Sequence, residues 1–422
     1  MSKKQFIATL NLELERIAHA KTAKRFETII DGFTQEPSPK AIIGGKPYRI
    51  FNSNDYLGLR FHPVLKQAEH KASLEFGTGP GAVRFISGTL KVHRDLEKKI
   101  AQFHGRDDAI VFSSAFAANM ALLFCLIKGQ AADSCVKGNT MVVSDALNHR
   151  SIIDGIRVAQ LPKEQKFLFN HLDLDDLNRI LKEQRGAFSR ALVVTDGIFS
   201  MLGEAQDLKK INEVIRMHDE HFEEGIWLIV DDAHGIGAFG KKGRGVEEVF
   251  QSKADLLVGT LGKAFGADGG YVTADQLIID YLRESAATYI YSNSISPGTA
   301  GAALASIQLV DSAEGEKLLK NLRSNQALFK SEMENIGCTF AALSEHPIQP
   351  ILLGSATKTA TFKKGLFQGG ILATNINYPV VPKGRDEIRV QISASHTEED
   401  LRAFVHEWEK IAALDAKNPA LT

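Results

Sequence analysis

Three cysteines, Cys125, Cys135 and Cys338, are all that 422 residues hold. They are too few and too scattered for a disulfide framework or a zinc site, so no metal is expected. They fit a reducing compartment, and each reads as a small buried hydrophobe. An excess of one charge is missing too. The formal net charge is −1, so no global imbalance recruits nucleic acid or an anionic membrane. No apolar run approaches the ~20 residues that a bilayer crossing needs. Behind the basic start Met1-Ser-Lys-Lys there is no long apolar core, so no secretory signal is expected. Repeats and low-complexity tracts are absent, as is the GxxxxGK[ST] spacing of a nucleotide-phosphate loop. What remains is ordinary, 44% hydrophobic and 24% charged, as in a soluble cytoplasmic protein. The length allows two or three domains at ~150 residues each.

Leu10 to Arg25 carries apolar residues at helical spacing among charges and predicts an amphipathic N-terminal helix. Tyr48 to Phe51 predicts a short strand leading into a turn at Asn52 to Gly58. From about residue 60 to 290, seven apolar runs alternate with helical stretches. The runs are Ala109 to Phe112, Met141 to Val143, Lys166 to Phe169, Ala191 to Val194, Ile226 to Val230, Asp255 to Thr260 and Gly270 to Thr273. The helices between them include Ala117 to Ile127, Leu174 to Arg185 and Leu208 to His221. Such alternation predicts an α/β fold with a mainly parallel seven-stranded sheet covered on both faces. Ligands of such sheets gather at the carboxyl ends of the strands. After Ser296-Pro-Gly298 one long helix is expected from Thr299 to about Met333. Strands near Ile348 to Leu353 and Arg389 to Ser393 and a closing helix near Glu398 to Leu414 follow. The expected division is an N-terminal segment 1–58, a large domain 59–297 and a smaller C-terminal α+β domain 298–422. Lys128 to Gly138 is polar and irregular and is expected to be a surface loop.

The most informative residues stand at the ends of two of these runs. Ile226 to Val230 ends in Asp231-Asp-Ala-His234, and Asp255 to Thr260 ends in Thr260-Leu-Gly-Lys263. An aspartate at a strand end is usually a cap, and a lone lysine is usually solvated. Together they supply what pyridoxal phosphate (PLP) chemistry needs: an amine that forms a Schiff base and a carboxylate for the ring nitrogen. Such a lysine needs partial desolvation to lower its pKa. His234 is placed to bond the ring's phenolate oxygen, and the Thr260 hydroxyl to bond a phosphate oxygen. Ser113 to Asn119 opens a helix with small residues. Its first N–H groups, at Ala115 and Phe116, suit a phosphate. His149, after another strand, reads alone as a structural histidine and beside the other motifs as one that could stack on the ring; Ser200 could bond the phenolate oxygen or a substrate. Arg389 offers a planar fork for a carboxylate, although taken alone it reads as a surface ion pair.

These residues resemble those of the α-oxoamine synthases, which are fold-type-I PLP enzymes. The likeness rests on Asn54-Asp-Tyr-Leu-Gly58, Val83-Arg-Phe-Ile-Ser-Gly-Thr89, Ser144 to His149, Thr195 to Ser200, Asp231 to His234 and Thr260 to Lys263. Tyr291-Ser-Asn-Ser294 and Tyr378-Pro-Val-Val-Pro-Lys-Gly384 add to it. The matches keep the family's order from about residue 5 to 410. Within the family, the segments at 83–89, 292–294 and 378–384 are most similar to glycine C-acetyltransferase (2-amino-3-ketobutyrate CoA ligase). Gly77-Thr-Gly-Pro-Gly81, Asp268 and a long loop from Lys128 to Asn139 depart from that pattern.

The resemblance implies a PLP-dependent acyltransferase that joins an amino acid, glycine first among them, to an acyl-CoA, acetyl-CoA first among them. It implies Lys263 as the cofactor lysine, Asp231 at the ring nitrogen, His149 on the ring and His234 with Ser200 at the phenolate oxygen. Thr260 falls at the phosphate, and Arg389 with Asn54 at the substrate carboxylate, where His149 also helps. It further implies a homodimer with shared sites, in which Ser292 and Asn293 reach the neighbouring chain's cofactor. Longer acyl-CoAs, as in 8-amino-7-oxononanoate synthase or serine palmitoyltransferase, are the alternative. A PLP aminotransferase and a PLP-binding protein without turnover are the remaining alternatives.

Overall fold

The structure, a computed structural model, describes residues 2–19, 23–35, 38–131, 133–136, 138–378 and 380–417. Part of the N-terminal helix prediction (20–22), two loop positions (132 and 137) and Pro379 lie outside the described residues.

All seven apolar runs form strands of one sheet. The order across it is Asp108–Phe112, Gly270–Ala274, Leu256–Thr260, Ile226–Asp231, Arg190–Asp196, Thr140–Asp145 and Lys166–Phe169. Gly270–Ala274 runs antiparallel to both of its neighbours, and the other strand pairs are parallel. Side chains of a strand alternate between faces, and here they divide between two cores. Val111, Val143, Val193, Leu228, Val230 and Leu257 enter one. Ile110, Val142, Leu192, Val194, Ile229 and Val258 enter the other. Burial on both faces explains why these strands read as nearly continuous apolar runs. The carboxyl ends of the parallel strands share one edge, and Asp196, Asp231 and Thr260 each close a strand there.

Three further observations concern the rest of the chain. The N-terminal helix spans Ser2–His19, so it begins earlier than expected and Lys24 and Arg25 lie beyond it. Its apolar side chains are not buried in this chain, with Phe6 64% and Leu12 66% exposed. The long helix expected from Thr299 to Met333 is two helices, Pro297–Val310 and Ala313–Asn335. The chain breaks at Asp311, whose carboxylate takes Lys99 Nζ at 2.7 Å and Arg244 Nη2 at 3.1 Å. Gly315 lets the second helix start close to the first: a Cβ there would stand 2.2 Å from the Val310 carbonyl oxygen. The helix expected through His221 ends at Arg216, followed by a 3₁₀ turn at Asp219–His221.

The C-terminal region builds an antiparallel three-stranded sheet, with Glu387–Gln391 between Ile348–Leu352 and Thr374–Ile376. Strand Lys46–Ile50 pairs in parallel with Ile371–Leu372. Arg49 bonds Asp400 at 2.9 Å and Glu399 at 3.0 Å in the last helix. That pairing brings the segment carrying Asn54 beside the strand carrying Arg389. Among the described residues, no helix is long and apolar enough to cross a membrane, and no cluster of metal-ligating side chains occurs.

Candidate active site

Strand Ile226–Asp231 ends in two successive aspartates that face opposite ways. Asp232 turns into protein. Its Oδ2 accepts from Val246 N at 2.8 Å, and Gly197, Gly235 and Gly245 crowd it so closely that a Cβ on any of them would fall within 2.5 Å of its oxygens. Asp231 turns to the cavity at the sheet edge. Asn119 Nδ2 donates to Asp231 Oδ2 at 2.6 Å, and Ala233 N donates to Oδ1 at 3.0 Å. Asn119 also donates to Ser151 Oγ at 2.9 Å, which ties helix Ala115–Lys128 to helix Arg150–Val158 behind the carboxylate. Both oxygens are oriented before any ligand arrives.

Asp196, at the end of the next strand, faces the same cavity and accepts from His149 N at 3.3 Å. Burial, reinforced by the negative charge of Asp231, holds the Asp196 carboxyl well above the usual range. A second full negative charge beside Asp231 is thereby avoided.

Lys263 enters from the tight turn after Leu256–Thr260. Burial brings its amine down to about 8, while the charges of Asp231 and Asp196 act in the opposite direction. An amine in that range both takes and gives up a proton near neutral pH, as a nucleophile or base requires. The turn demands glycine at Gly266, where φ is +65° and a Cβ would meet Arg60 N at 2.4 Å.

His149 caps helix Arg150–Val158, with Nδ1 2.8 Å from Ser151 Oγ. Burial pushes its imidazole below the usual range, with Asp231 pulling the other way. His234 lies deeper. Burial first, then the positive charges of Lys263 and its neighbours, hold it far below that range, so its ring is neutral. His234 Nδ1 is 2.8 Å from Tyr56 Oη. Burial lifts the Tyr56 phenol to about 12, which keeps it protonated. With Tyr56 as the donor, the His234 proton sits on Nε2, an assignment that rests on this network. His346 Nε2 donates to the His234 carbonyl at 2.9 Å and fixes the backbone.

One cavity is thus lined by seven of the expected residues: Ala115, Phe116, His149, Ser200, Asp231, His234 and Lys263. Ala115 and Phe116 bring the first turn of a 14-residue helix, capped by Ser114 Oγ on Ala117 N at 3.1 Å. Five expected residues do not line it. The Thr260 hydroxyl donates to Gly269 O at 3.0 Å. Ser292 and Asn293 are exposed on the surface. Arg389 and Asn54 lie to one side, joined through Gln391. Arg389 Nη1 donates to Ser200 O at 2.9 Å. With its amide oxygen turned to Arg389, Gln391 accepts from Nη2 at 3.0 Å, and the same oxygen faces Asn54, whose amide must turn as well to donate to it.

The donor set suits PLP. It offers a buried, pre-oriented carboxylate for the pyridine nitrogen, a desolvated amine for the aldehyde, a neutral imidazole for the ring face and a helix N-terminus for the phosphate. Sequence reasoning missed Asn119, Ser151, Asp196, Tyr56 and Gln391. Three of these, Tyr56, Asn119 and Asp196, lie inside segments that had already been singled out.

A family model described as aminotransferase class I and II matches residues 48–407. The chain belongs to that family. It is 39% identical over 374 residues to 8-amino-7-oxononanoate synthase of Fervidobacterium nodosum, covering 88% of this chain and 90% of the relative. It is 38% identical over 420 residues to the mitochondrial 2-amino-3-ketobutyrate coenzyme A ligase of Bos taurus, covering 98% and 94%. Among solved structures, a serine palmitoyltransferase from S. paucimobilis with bound PLP and myriocin superposes with a TM-score of 0.83 at 26% identity, over 96% of this chain and 97% of that one. All three relatives are α-oxoamine synthases, and the aminotransferase-family chain described here is one of them. Its mainly parallel sheet and smaller C-terminal sheet are those of fold-type-I PLP enzymes.

Proposed function

We propose that this PLP-dependent enzyme condenses glycine with acetyl-CoA to give 2-amino-3-ketobutyrate and free CoA. The observation that carries the reading is the meeting of Lys263 and Asp231 in one buried cavity, with Arg389 held beside it on the Ser200 carbonyl. Similarity to the Bos taurus ligase over nearly the full length of both chains supports the choice of acids. A longer acyl-CoA is the second reading, favoured by the similarity to 8-amino-7-oxononanoate synthase.

When bound, PLP supplies an electron sink for a carbanion at the amino acid's α-carbon. Asp231 would hold its ring nitrogen and keep it protonated, His149 its ring face, and Ala115 and Phe116 its phosphate through their N–H groups. His234 Nε2 and Ser200 Oγ would donate toward the ring's phenolate oxygen. Thr260 would join at the phosphate if its hydroxyl left Gly269. The guanidinium of Arg389, backed by Gln391 and Asn54, binds the substrate carboxylate. Lys263 Nζ takes the α-proton, a role its desolvated amine suits. His149 then orients the thioester oxygen.

The same reading makes the enzyme a homodimer. Ser292 and Asn293 stand outside their own chain's cavity and are assigned to the partner's cofactor phosphate. Phe85, Ile86 and Tyr291, each more than 60% exposed, flank them across the Arg84–Tyr289 contact and leave apolar surface for a second copy. Residues 59–297 are assigned to cofactor binding and 298–422 to the small domain that brings Arg389, with 1–58 as an N-terminal segment. The unbridged state of Cys125, Cys135 and Cys338 supports a cytoplasmic setting.

Thiol release tests the reading. Glycine with acetyl-CoA is expected to release CoA fastest in a panel of amino acids and acyl lengths. Fastest release with a long acyl-CoA would move the assignment to the second reading. Amino transfer without any thiol release would overturn both.

A further inference from the structure

Glu387 is a carboxyl group for which the mechanism above has no use. It is completely buried, and neither of its oxygens has a hydrogen-bond partner. Leaving a buried polar group unpaired is costly, so such a residue calls for an explanation. Its position supplies one. Glu387 and Arg389 are two residues apart on one strand, so their side chains share a face of the sheet. The guanidinium of Arg389 spends Nη1 on Ser200 and Nη2 on Gln391, while its buried Nε has no partner either. An unpaired acid and an unpaired donor therefore stand side by side at the place assigned to the substrate carboxylate.

The other groups around Glu387 do not neutralise it. Opposite it on the flanking strands are Leu352 and Ile376, both apolar. The charged groups that act on it are Arg389 on its own strand, Arg385 in the preceding turn and Glu204 in the loop behind Ser200. Arg385 is committed to the Ala341 carbonyl, and Glu204 to His171 at 3.1 Å. We propose that Glu387 is a positioning residue for Arg389. Uncharged, it leaves the guanidinium to an incoming carboxylate; ionised, it competes for that guanidinium and weakens the binding. The proton released on ionisation goes to solvent, and no covalent bond changes. Burial, opposed by Arg389 and Arg385, lifts the Glu387 carboxyl to about 8, so the competition begins just above neutral pH. The inference rests on the reading of Arg389 as the carboxylate anchor.

Acetate tests it, since it remains ionised across the range and has no amine of its own to titrate. Its inhibition constant against the amino acid is measured on the holoenzyme from pH 7 to 9.5. For the wild type it is expected to rise about tenfold between pH 7 and pH 9, most of it above pH 8, as one ionisation near 8 requires. For Glu387→Gln the profile is expected to be flat, and Glu387→Met, which also has no titratable group, serves if the first variant does not fold. A flat wild-type profile overturns the proposal by itself, and so does a variant profile parallel to the wild type. Arg389→Gln separates the two layers. Acetate inhibition undiminished in that variant removes the carboxylate anchor, and this inference with it. Inhibition lost there, combined with parallel Glu387→Gln and wild-type profiles, removes only the role of Glu387.

Discussion

Asp231 and Lys263 follow two hydrogen-bonded parallel strands that are buried on both faces, and local hydrogen bonds orient the carboxylate. Arg389 is positioned differently. It rides on the middle strand of a separate three-stranded sheet and reaches the cavity only through the Ser200 carbonyl, 189 residues away in sequence. The side assigned to the cofactor is thus held by the main sheet itself, whereas the side assigned to the carboxylate comes from a second sheet, whose Ile388 and Val390 join the same apolar core but whose Arg389 is aimed by a few polar contacts. Damage to the first should abolish cofactor chemistry. Damage to the second should spare the cofactor and weaken the substrate.

The largest expected effect is that of Lys263→Ala. Loss of the amine should remove the visible absorbance of bound PLP in its lysine-linked form and lower turnover by at least ~10³-fold, within the range attributed to general-base and nucleophilic roles. An unchanged spectrum would refute the assignment. Asp231→Asn should fold, because its amide oxygen can still accept from Ala233 N while Asn119, whose own Oδ1 has no partner, can turn to accept from the new NH2. It should slow exchange of the substrate's α-proton with solvent by about 10²-fold or more. Exchange near the wild-type rate would leave Asp231 as a structural cap.

Arg389→Gln probes the other side. Removing the half-buried charge assigned to the substrate carboxylate is expected to raise the amino acid's KM roughly 30-fold or more. The cofactor spectrum and the acyl-CoA KM should stay near wild type. A lost cofactor band in this variant would break the comparison, since the two sides would then be one unit.

The contrast also explains what was legible in the sequence. The seven strands could be read because burial on both faces leaves a local signature, a short apolar run between helical stretches. The strand-end residues could be read with them, since Asp231 and Lys263 follow those runs directly. Long-range contacts left no such mark. Tyr56 and His234 are 178 residues apart, and Asn119 and Asp231 are 112 apart. Gln391 looks like any polar strand residue until Asn54 and Arg389 are seen on either side of it. The break at Asp311 was hidden for the same reason: helical propensity runs through it, and the partners Lys99 and Arg244 come from other parts of the chain. The N-terminal helix shows the reverse case. Its apolar spacing marked a helix but not what covers it.

His171 offers the smallest and finest test of how the carboxylate side is held. It lies beneath the loop that carries Ser200, with Nδ1 3.0 Å from Asp145 and Nε2 3.1 Å from Glu204. Burial opposes its charge, but the bonds to both carboxylates outweigh burial and carry the imidazole up to about 9. A pKa raised above the unfolded value of ~6.5 means that the charged ring stabilises the fold fully below that pH. The contribution fades as pH rises through about 9. His171→Gln should therefore lower the urea midpoint at pH 6 and matter progressively less toward pH 9.5. The loss at pH 6 is expected to be about 1 kcal/mol or less, since solvent screens a part-exposed clamp of this kind. The amino acid's KM should rise with it while the cofactor band stays, because the Ser200 carbonyl that steadies Arg389 would lose its support. A variant whose deficit in midpoint is constant across pH would show that His171 acts by packing on Phe199, 4.3 Å away, and that its charge contributes nothing to holding the loop.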